Sequence, residues 1–379
     1  MKIAFLTPEF PHPKTGTSGG IGTSIQNMTR GLAALGYQPL VLVYGQDRDE
    51  HFEENGVSFY RVRNVKIKGL SWYFTRKKIQ RIINQLHADD RLDVVEAPDW
   101  TGITSFINTK CKVVIRLNGS DTYFCHLDKR AVKWANRFHE KRALQNADAV
   151  LSVSRFTADV TNEIFGLHRD FTIIPNSIDA ASFAPAGATS SQTILYFGTL
   201  IRKKGLLELP HIFNKVHEMN PAAELVLVGR DARDIQSGNA STWAMMQPLF
   251  TDSARKKVSY RGGVAYTEIQ SCIREASVCV FPTFAEALPV SWIEAMAMEK
   301  AIVASDIGWA PEVIEDGISG WLVHPANHEL YARKITALLE DAVLRESIGK
   351  AARQRVLSVF DIAVVARSNA EYYQRLLNK

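Results

Sequence analysis

The chain has 379 residues, of which 46% are hydrophobic and 22% charged, and its formal net charge is +5. This length predicts two domains, and the composition excludes the disordered, fibrous and membrane-spanning classes of protein. The apolar run after Lys2 is closed by Pro8 and is too short for a secretory signal or a membrane span. We therefore expect a cytoplasmic chain.

The first half alternates short β-rich runs with amphipathic helical patterns, which is typical of a parallel sheet covered by helices. Strands are predicted at 3–7, 39–44, 94–97, 113–117, 149–153 and 172–175, with helices such as 23–34 and 131–144. This pattern predicts one Rossmann-like sheet.

Two stretches of the first half combine basic and aromatic residues. No acidic residue occurs from 58 to 88, where Trp72, Tyr73 and Phe74 lie among cations, and a second basic stretch from 129 to 142 contains Trp134. Such clusters fit nucleic acid, an anionic membrane surface or a phosphorylated substrate, and they fit a solvated surface equally well.

A break in the pattern follows at 179–192, where small and polar residues indicate an interdomain linker. A second sheet is predicted from strands at 194–198, 224–228, 258–261, 277–282 and 301–305. Its helices are expected to start at Gly205, Thr267, Pro289 and Asn327. The segment 231–256 fits neither a strand nor a helix pattern. We expect an ordered insertion there, beside the cleft between the two domains.

Ligands of open parallel sheets bind at the carboxyl ends of the strands, and the strongest candidate there is 281–297, FPTFAEALPVSWIEAMA. Glu286 can accept hydrogen bonds from sugar hydroxyls, and Pro289 suits the first helical position. Backbone N–H groups at the helix start, within 287–290, favour an anionic group. Glu294 lies eight residues after Glu286, a spacing that suits two ends of one ligand. A capping and a solvated glutamate would show the same spacing.

The second candidate is ILYFGTLIRKKGLLEL, in which a short basic loop separates a strand from a helix. Arg202, Lys203 and Lys204 would face a diphosphate there. Three consecutive cations are also compatible with a solvated loop.

The third candidate is the glycine loop after the first strand, where Gly19, Gly20 and Gly22 open a helix. Such a loop lets the backbone approach a phosphate, but Ile25 stands where a dinucleotide fingerprint has its third glycine. This argues against a nicotinamide enzyme.

Metal-binding patterns are weak. The sequence Asp47-Arg48-Asp49 is the one D-x-D motif, and it lies in a charged loop. No His, Cys and carboxylate set has ligand spacing, so we expect no metal and no cofactor.

Together these three strand-to-helix segments resemble those of the large retaining family of GT-B glycosyltransferases numbered four. The segment 281–325 looks like the donor-site block of that family, with Glu286 and Glu294 as its E-x7-E element, and FGTLIRKKG looks like its strand-loop-helix. The resemblance implies an α/β GT-B fold of two Rossmann-like parallel-sheet domains facing a cleft. The expected domains are 1–182 for the acceptor, 183–360 for the donor, and a helix within 361–379 that packs back on the first domain.

The resemblance also implies roles for particular residues. Glu286 would contact the donor sugar, Lys204 the diphosphate and Glu294 the ribose hydroxyls, in a front-side substitution that needs no protein nucleophile. The implied catalytic residues are Glu286, Lys204 and Asn118. The implied donor-binding residues are Gly20, Arg202, Ala287, Leu288, Pro289, Val290, Glu294 and Val264, and Glu312 falls where the family has an acid after a glycine turn.

Two positions depart from the family pattern. Asn118 stands where many relatives have histidine, so a hydrogen bond to a hydroxyl is retained but a role for imidazole is not. Thr199 follows Gly198 where many relatives have arginine, and Arg202 is the candidate replacement.

The expected partners are a UDP-sugar or another nucleoside-diphosphate sugar, a glycan or polyprenyl-linked acceptor, and an anionic inner-membrane surface; nucleic acid is not expected. The expected role is synthesis of surface polysaccharide or lipopolysaccharide. One alternative is a nucleotide-sugar epimerase or an inverting GT-B enzyme, for which Asp121, His126 or Asp99 could be the base. The other is an inactive regulatory homologue.

Overall fold

The structure is a computed structural model that describes residues 1–16, 18–185, 187 and 191–378. The chain divides into two compact units, one formed by Met1–Asp179 with Phe360–Lys379 and the other by Ala180–Val359. Part of the predicted linker at 179–192 lies outside the described residues.

Among the described residues, the first unit contains an eight-stranded sheet with the order β3-β4-β2-β1-β5-β6-β7-β8. Its strands are β1 (Ile3–Thr7), β2 (Leu40–Gln46), β3 (Glu50–Glu54), β4 (Val57–Arg63), β5 (Val94–Pro98), β6 (Lys112–Leu117), β7 (Ala149–Ser152) and β8 (Thr172–Ile173). All neighbours are parallel except β3 and β4. The predicted Rossmann-like sheet is confirmed.

The antiparallel hairpin β3-β4 was not predicted. Strand β3 lies at the sheet edge and is mostly exposed, so its charged residues resemble a loop. The turn carries a signal that could have been used, because Asn55 and Gly56 have φ values of 50° and 76°, as the two central residues of a type I′ turn require.

Helices cover both faces of this sheet. They are α1 (Gly20–Ala34), α2 (Ser71–Ala88), α3 (Asp121–Leu127), α4 (Trp134–Asn146) and α5 (Arg155–Phe165). Two buried apolar clusters, one on each face, contain alternate residues of the central strands, for example Leu6 in one and Phe5 in the other.

In the second unit, the described residues form a six-stranded sheet, entirely parallel, with the order β11-β10-β9-β12-β13-β14. Its strands are β9 (Thr193–Phe197), β10 (Glu224–Val228), β11 (Val258–Tyr260), β12 (Val278–Phe281), β13 (Ala301–Ala304) and β14 (Trp321–Leu322). Strand β14 has two residues, and its length explains why the sequence did not predict it.

The helices of this unit are α6 (Leu209–Met219), α7 (Thr242–Met246), α8 (Asp252–Arg255), α9 (Tyr266–Glu275), α10 (Val290–Ala297), α11 (Ala310–Val313), α12 (His328–Glu340) and α13 (Ala342–Arg355). The helix predicted to start at Gly205 begins at Leu209, because Arg202–Lys204 form a 3-10 turn and Gly205 has a φ of 73°. Two short helices, α7 and α8, give the segment 231–256 an ordered structure.

The last helix, α14 (Ile362–Leu377), belongs to the first unit and packs against α1. A Cβ on Gly31 of α1 would lie 2.6 Å from the Cβ of Ala366, so glycine permits the close approach. Tyr373 donates a hydrogen bond of 2.5 Å to Glu96, which forms a buried ion pair of 2.7 Å with Arg116. None of the helices in the described part of the chain is long and apolar enough to cross a membrane.

Candidate functional site

Two loops meet at the carboxyl edge of the second sheet. The first, 198–205, follows β9, and the second, 282–289, follows β12, which is the neighbour of β9 in the sheet. The carbonyl of Lys203 accepts hydrogen bonds from the N–H groups of Phe284 at 2.8 Å and Ala285 at 3.2 Å. The two loops that the sequence marked separately are therefore held together through their backbones.

Gly205 allows this approach. A Cβ at this position would lie 1.7 Å from the carbonyl oxygen of Pro282, and the φ of 73° is itself unfavourable for other residues. A glycine is therefore required where the first loop turns into α6.

Lys204 and Glu286 form an ion pair across the two loops. The distance from Lys204 Nζ to Glu286 Oε1 is 3.0 Å, and the side chains are 22% and 17% exposed. Burial alone would lower the pKa of Lys204, but the charge of Glu286 outweighs it and the pKa is raised. Burial would raise the pKa of Glu286, but Lys204 and then Lys203 bring it below its ordinary value. Both groups are therefore charged throughout the neutral pH range.

Glu294 lies on α10, which follows the second loop directly, and its side chain is buried. Its negative charge also contributes to the raised pKa of Lys204, so both predicted glutamates act on the same ammonium group. Pro289 is the N-cap of α10 rather than its first residue, and the helix begins at Val290. Ala287 and Leu288, just before this helix, are buried.

Arg202 is held by a residue that the sequence analysis missed. Its guanidinium donates to Asp234 through Nε at 2.9 Å and through a terminal nitrogen at 2.8 Å. Asp234 is buried, and its hydrogen bond with Arg202 brings the pKa of its carboxyl far below the ordinary range. The pair fastens the insertion at 231–241 to the first loop. No local signal marks Asp234, because it lies 32 residues from its partner.

Three other predicted positions lie on loops or a short helix of the same unit. Val264 is partly exposed in the loop between β11 and α9. The carbonyl of Thr199 accepts a hydrogen bond of 3.0 Å from the hydroxyl of Tyr196. Glu312 is partly buried on α11.

In the first unit, Asn118 follows the last residue of β6. Its N–H donates a hydrogen bond of 2.9 Å to Asp99, a buried residue that follows β5. Burial raises the pKa of the Asp99 carboxyl to about 7, although the hydrogen bond from Asn118 acts in the opposite direction. Asn118 also lines a small pocket with Ser24 and Pro98. Asp99 thus positions the backbone at Asn118.

Gly20 is the first residue of α1 and is exposed. A carboxylate that sequence reasoning passed over lies beside it: Glu9 accepts a hydrogen bond of 3.1 Å from the N–H of Gly22. In this structure the start of α1 is therefore next to an anion from the chain itself.

The structure thus divides the predicted residues into two groups. Lys204, Glu286, Glu294 and Arg202 share the carboxyl edge of the second sheet, as do Ala287, Leu288, Pro289 and Val290, while Val264 lies on the loop after β11. Gly20 and Asn118 follow β1 and β6 of the first sheet, with β5 in between.

The aspartates of the D-x-D motif are engaged elsewhere. Asp47 pairs with Arg61, and Asp49 accepts a hydrogen bond of 2.6 Å from Lys78. Within the described ranges, no group of three or more His, Cys, Asp or Glu side chains is arranged to hold a metal ion.

The residues considered as a base have different surroundings. Asp99 is buried, Asp121 accepts a hydrogen bond of 2.9 Å from Asn136, and His126 is exposed on α3. Asp99 accepts a hydrogen bond from the backbone N–H of Asn118.

Comparison with known proteins gives matches over most of the chain. A family model described as Glycosyltransferase Family 4 matches residues 18–182, and one described as Glycosyl transferases group 1 matches residues 178–355. An uncharacterized glycosyltransferase of Methanocaldococcus jannaschii is 24% identical, over 99% of this chain and 98% of its own length.

Two further matches are informative. The alpha-maltose-1-phosphate synthase of Mycolicibacterium smegmatis is 30% identical, over 62% of this chain and 65% of its own length. The crystal structure of Anabaena HepE in complex with UDP and glucose matches with a TM-score of 0.75 at 19% identity, covering 99% of each chain. The structural match supports the predicted fold class of two Rossmann-like parallel-sheet domains.

Proposed function

We propose that this chain, a glycosyltransferase that belongs to glycosyltransferase family 4, moves a sugar from a nucleoside-diphosphate donor to a glycan or lipid-linked acceptor. The anomeric configuration of the sugar is proposed to be retained. The donor is proposed to be a UDP-sugar. HepE, which has a similar fold, was crystallised with UDP and glucose, and this supports the choice.

The observation that carries the proposal is the ion pair between Lys204 and Glu286. It joins a cation and a carboxylate at 3.0 Å on loops that follow adjacent parallel strands, which is where such sheets bind ligands. A nucleoside-diphosphate sugar offers complementary chemistry to both groups, because its phosphates are anionic and its sugar is rich in hydroxyl groups. Lys204 would bind the diphosphate, and Glu286 would accept hydrogen bonds from the sugar.

The remaining donor contacts are proposed from the same edge. Helix α10 begins at Val290, and the positive end of its dipole favours a phosphate. Glu294, buried in the first turns of that helix, would hold the ribose hydroxyls. Arg202, which donates two hydrogen bonds to Asp234, is proposed to position the loop that carries Lys204.

The reaction needs no protein nucleophile. The departing phosphate oxygen takes the proton of the acceptor hydroxyl, while Lys204 stabilises the negative charge that develops on the diphosphate. Preorganised groups of this kind stabilise the transition state more than the ground state. Asn118, whose backbone is fixed by Asp99, is proposed to hydrogen-bond a hydroxyl group of the transferred sugar.

The acceptor is proposed to be a glycan or a polyprenyl-linked sugar used in surface polysaccharide or lipopolysaccharide synthesis. The support is the density of cations in the first unit, which suits an acceptor that carries phosphate.

A donor panel tests the proposal. Purified protein is incubated with UDP-, GDP- and ADP-glucose, with and without EDTA, and the released nucleotide is measured. We expect turnover of the UDP-sugar that EDTA does not reduce, and an α-anomeric product from an α-linked donor by NMR. An inverted product would support the inverting alternative, and a folded protein that turns over none of a wider donor panel would support the inactive homologue.

A further inference from the structure

The two basic and aromatic stretches of the first unit form one surface. Six rings contact one another in series with centroid distances between 5.3 and 6.1 Å. In order they are Trp134, Phe138, Phe106, Trp72, Tyr73 and Phe74, which we call the aromatic strip. Phe106, between β5 and β6, joins α2 to α4, so the strip exists only in the folded unit.

The strip exposes large apolar side chains. Trp134 is 75% exposed, Trp72 42% and Phe138 40%, and beside them Leu70 is 49% and Ile67 41% exposed. Single exposed apolar residues are ordinary, but a contiguous group marks an interaction surface.

Exposed lysines flank the strip at both ends. Lys66 and Lys68 lie on either side of Ile67, and Lys133 directly precedes Trp134. All three are exposed, and the segment 58–88 contains no acidic residue. The surface is therefore apolar in the middle and positively charged at its margins.

The strip is fixed to the loop that supports Asn118. Arg76 of α2 donates a hydrogen bond of 3.2 Å to the carbonyl of Gly102, and Glu140 of α4 accepts one of 3.1 Å from the N–H of Thr101. A Cβ on Gly102 would lie 2.2 Å from the backbone of His139, so the loop and α4 are in direct contact. This loop begins with Asp99, the partner of Asn118.

We propose that the aromatic strip and its flanking lysines dock the enzyme on an anionic lipid bilayer. Indole rings favour the interface between headgroups and acyl chains, and lysines near it are attracted to anionic lipids. Docking would bring the loop at Asp99, and with it Asn118, close to the membrane surface. The inference rests on the proposed function in one respect, that a lipid-linked acceptor would reach Asn118 from the bilayer.

The exposed side chains favour a bilayer over nucleic acid or a glycan. Bases and sugar rings stack on aromatic faces, but the aliphatic side chains of Ile67 and Leu70 offer no such face. They do gain free energy on entering the apolar zone of a bilayer. The mixture of aromatic, aliphatic and lysine side chains is typical of interfacial segments.

The test is co-sedimentation of the full chain with vesicles of phosphatidylcholine alone or with a third of phosphatidylglycerol. We expect retention on the anionic vesicles at low salt, little on the neutral ones, and release by 0.5 M NaCl, because salt screens the attraction. Lys68→Glu with Lys133→Glu should weaken retention about tenfold or more, since it replaces two cations near the anionic surface by anions. Trp134→Ala should weaken it, and Trp134→Phe should restore part of the loss.

Matched variants in the second unit serve as controls. Lys256→Glu with Arg274→Glu makes the same change in net charge at exposed positions, and Ile318→Ala removes an apolar side chain that is 59% exposed. Both should leave retention unchanged, and thermal unfolding should show that every variant is folded. Equal retention of strip and control variants, or no retention on anionic vesicles, would overturn the proposal. It would also be overturned if the strip variants lost binding to a soluble anionic polysaccharide while vesicle binding was unchanged.

The vesicle assay needs no donor, and donor hydrolysis needs no vesicle. Lipid binding without turnover would therefore count against the proposed function alone. If the protein turns over a UDP-sugar in solution but does not bind anionic vesicles, the result would count against the docking surface alone.

Discussion

The carboxyl edges of the two sheets use their charges differently. In the second unit, Lys204 and Glu286 are paired but partly exposed, on loops where a ligand can reach them. In the first unit, Asp99 and Glu140 are buried and accept hydrogen bonds from backbone groups. Asn118, which directly follows β6 at this edge, has a neutral side chain. We propose that Lys204 and Glu286 bind the donor, while Asp99 and Glu140 hold loops in place.

This difference has a consequence for how substitutions act. A change to Lys204 or Glu286 should alter donor chemistry with little effect on folding, whereas a change to Gly205 or Asp234, which hold the loops of that edge, should also alter stability. A change to a buried carboxylate of the first edge should alter stability and its pH dependence.

Glu286→Gln should reduce turnover of the donor about 100-fold or more, because it removes the charged partner of Lys204 and the hydrogen-bond acceptor that we propose contacts the sugar. The measurement is nucleotide release at saturating donor, with the unfolding midpoint recorded in parallel. Glu329→Gln is the control, since Glu329 forms an ion pair of 2.9 Å with Lys215 away from the two loops. Similar losses of turnover in both variants would contradict the proposed role of Glu286 at the donor site.

Gly205→Ala should lower the free energy of unfolding of the second unit by about 3 kcal/mol or more, because the added Cβ meets the backbone of Pro282 and φ is positive. Urea unfolding measures the change. Gly262→Ala separates the two causes: its φ is 71° but nothing lies within 4 Å of the added Cβ. We expect it to cost about 1 kcal/mol, the strain alone. Equal costs would show that the approach of the loops is not tight.

Asp234→Asn should lower the free energy of unfolding by about 1–2 kcal/mol and raise the KM for the donor a few-fold, because it breaks the pair that holds the loop of Lys204. The loss should disappear at low pH. The pKa of Asp234 is lowered in the folded chain, so its contribution is present above the ordinary aspartate pKa and is lost as pH falls through the folded value. A loss that stayed constant down to acid pH would contradict the ion-pair explanation.

Asp99→Asn should flatten the pH dependence of stability by about 1 kcal/mol between pH 6 and pH 8. The folded pKa of about 7 is above the ordinary aspartate value, so the wild-type chain loses stability as pH rises through this window, while asparagine does not titrate. Urea unfolding at several pH values measures this. Parallel pH profiles of the two proteins would show that Asp99 is not the group responsible.

The sequence was most informative where one short segment carries several site features. The block 281–297 contains the strand, the loop with Glu286 and the start of α10, so local patterns sufficed to find it. The hairpin at β3 and β4 was missed because an exposed edge strand has no apolar pattern.

Pairs made by the fold could not be predicted in this way. Asp234 reaches Arg202 across 32 residues, and Glu140 reaches Thr101 across 39. Neither carboxylate has a distinctive local context, and each is identified only by the atoms that surround it. For the same reason, the two basic and aromatic stretches did not reveal from sequence alone that Phe106 joins them.

The most direct test of the account is calorimetric binding of UDP and of UDP-glucose to Lys204→Met and Glu286→Gln, with Lys215→Met and Glu329→Gln as the matched pair. Lys204→Met should weaken both ligands about tenfold or more, because both carry the diphosphate. Glu286→Gln should weaken UDP-glucose but leave UDP bound as tightly as before or more tightly, because it frees the ammonium of Lys204. If neither substitution alters the binding of either ligand, or if the control pair alters it as much, then the Lys204 and Glu286 pair is not the donor site.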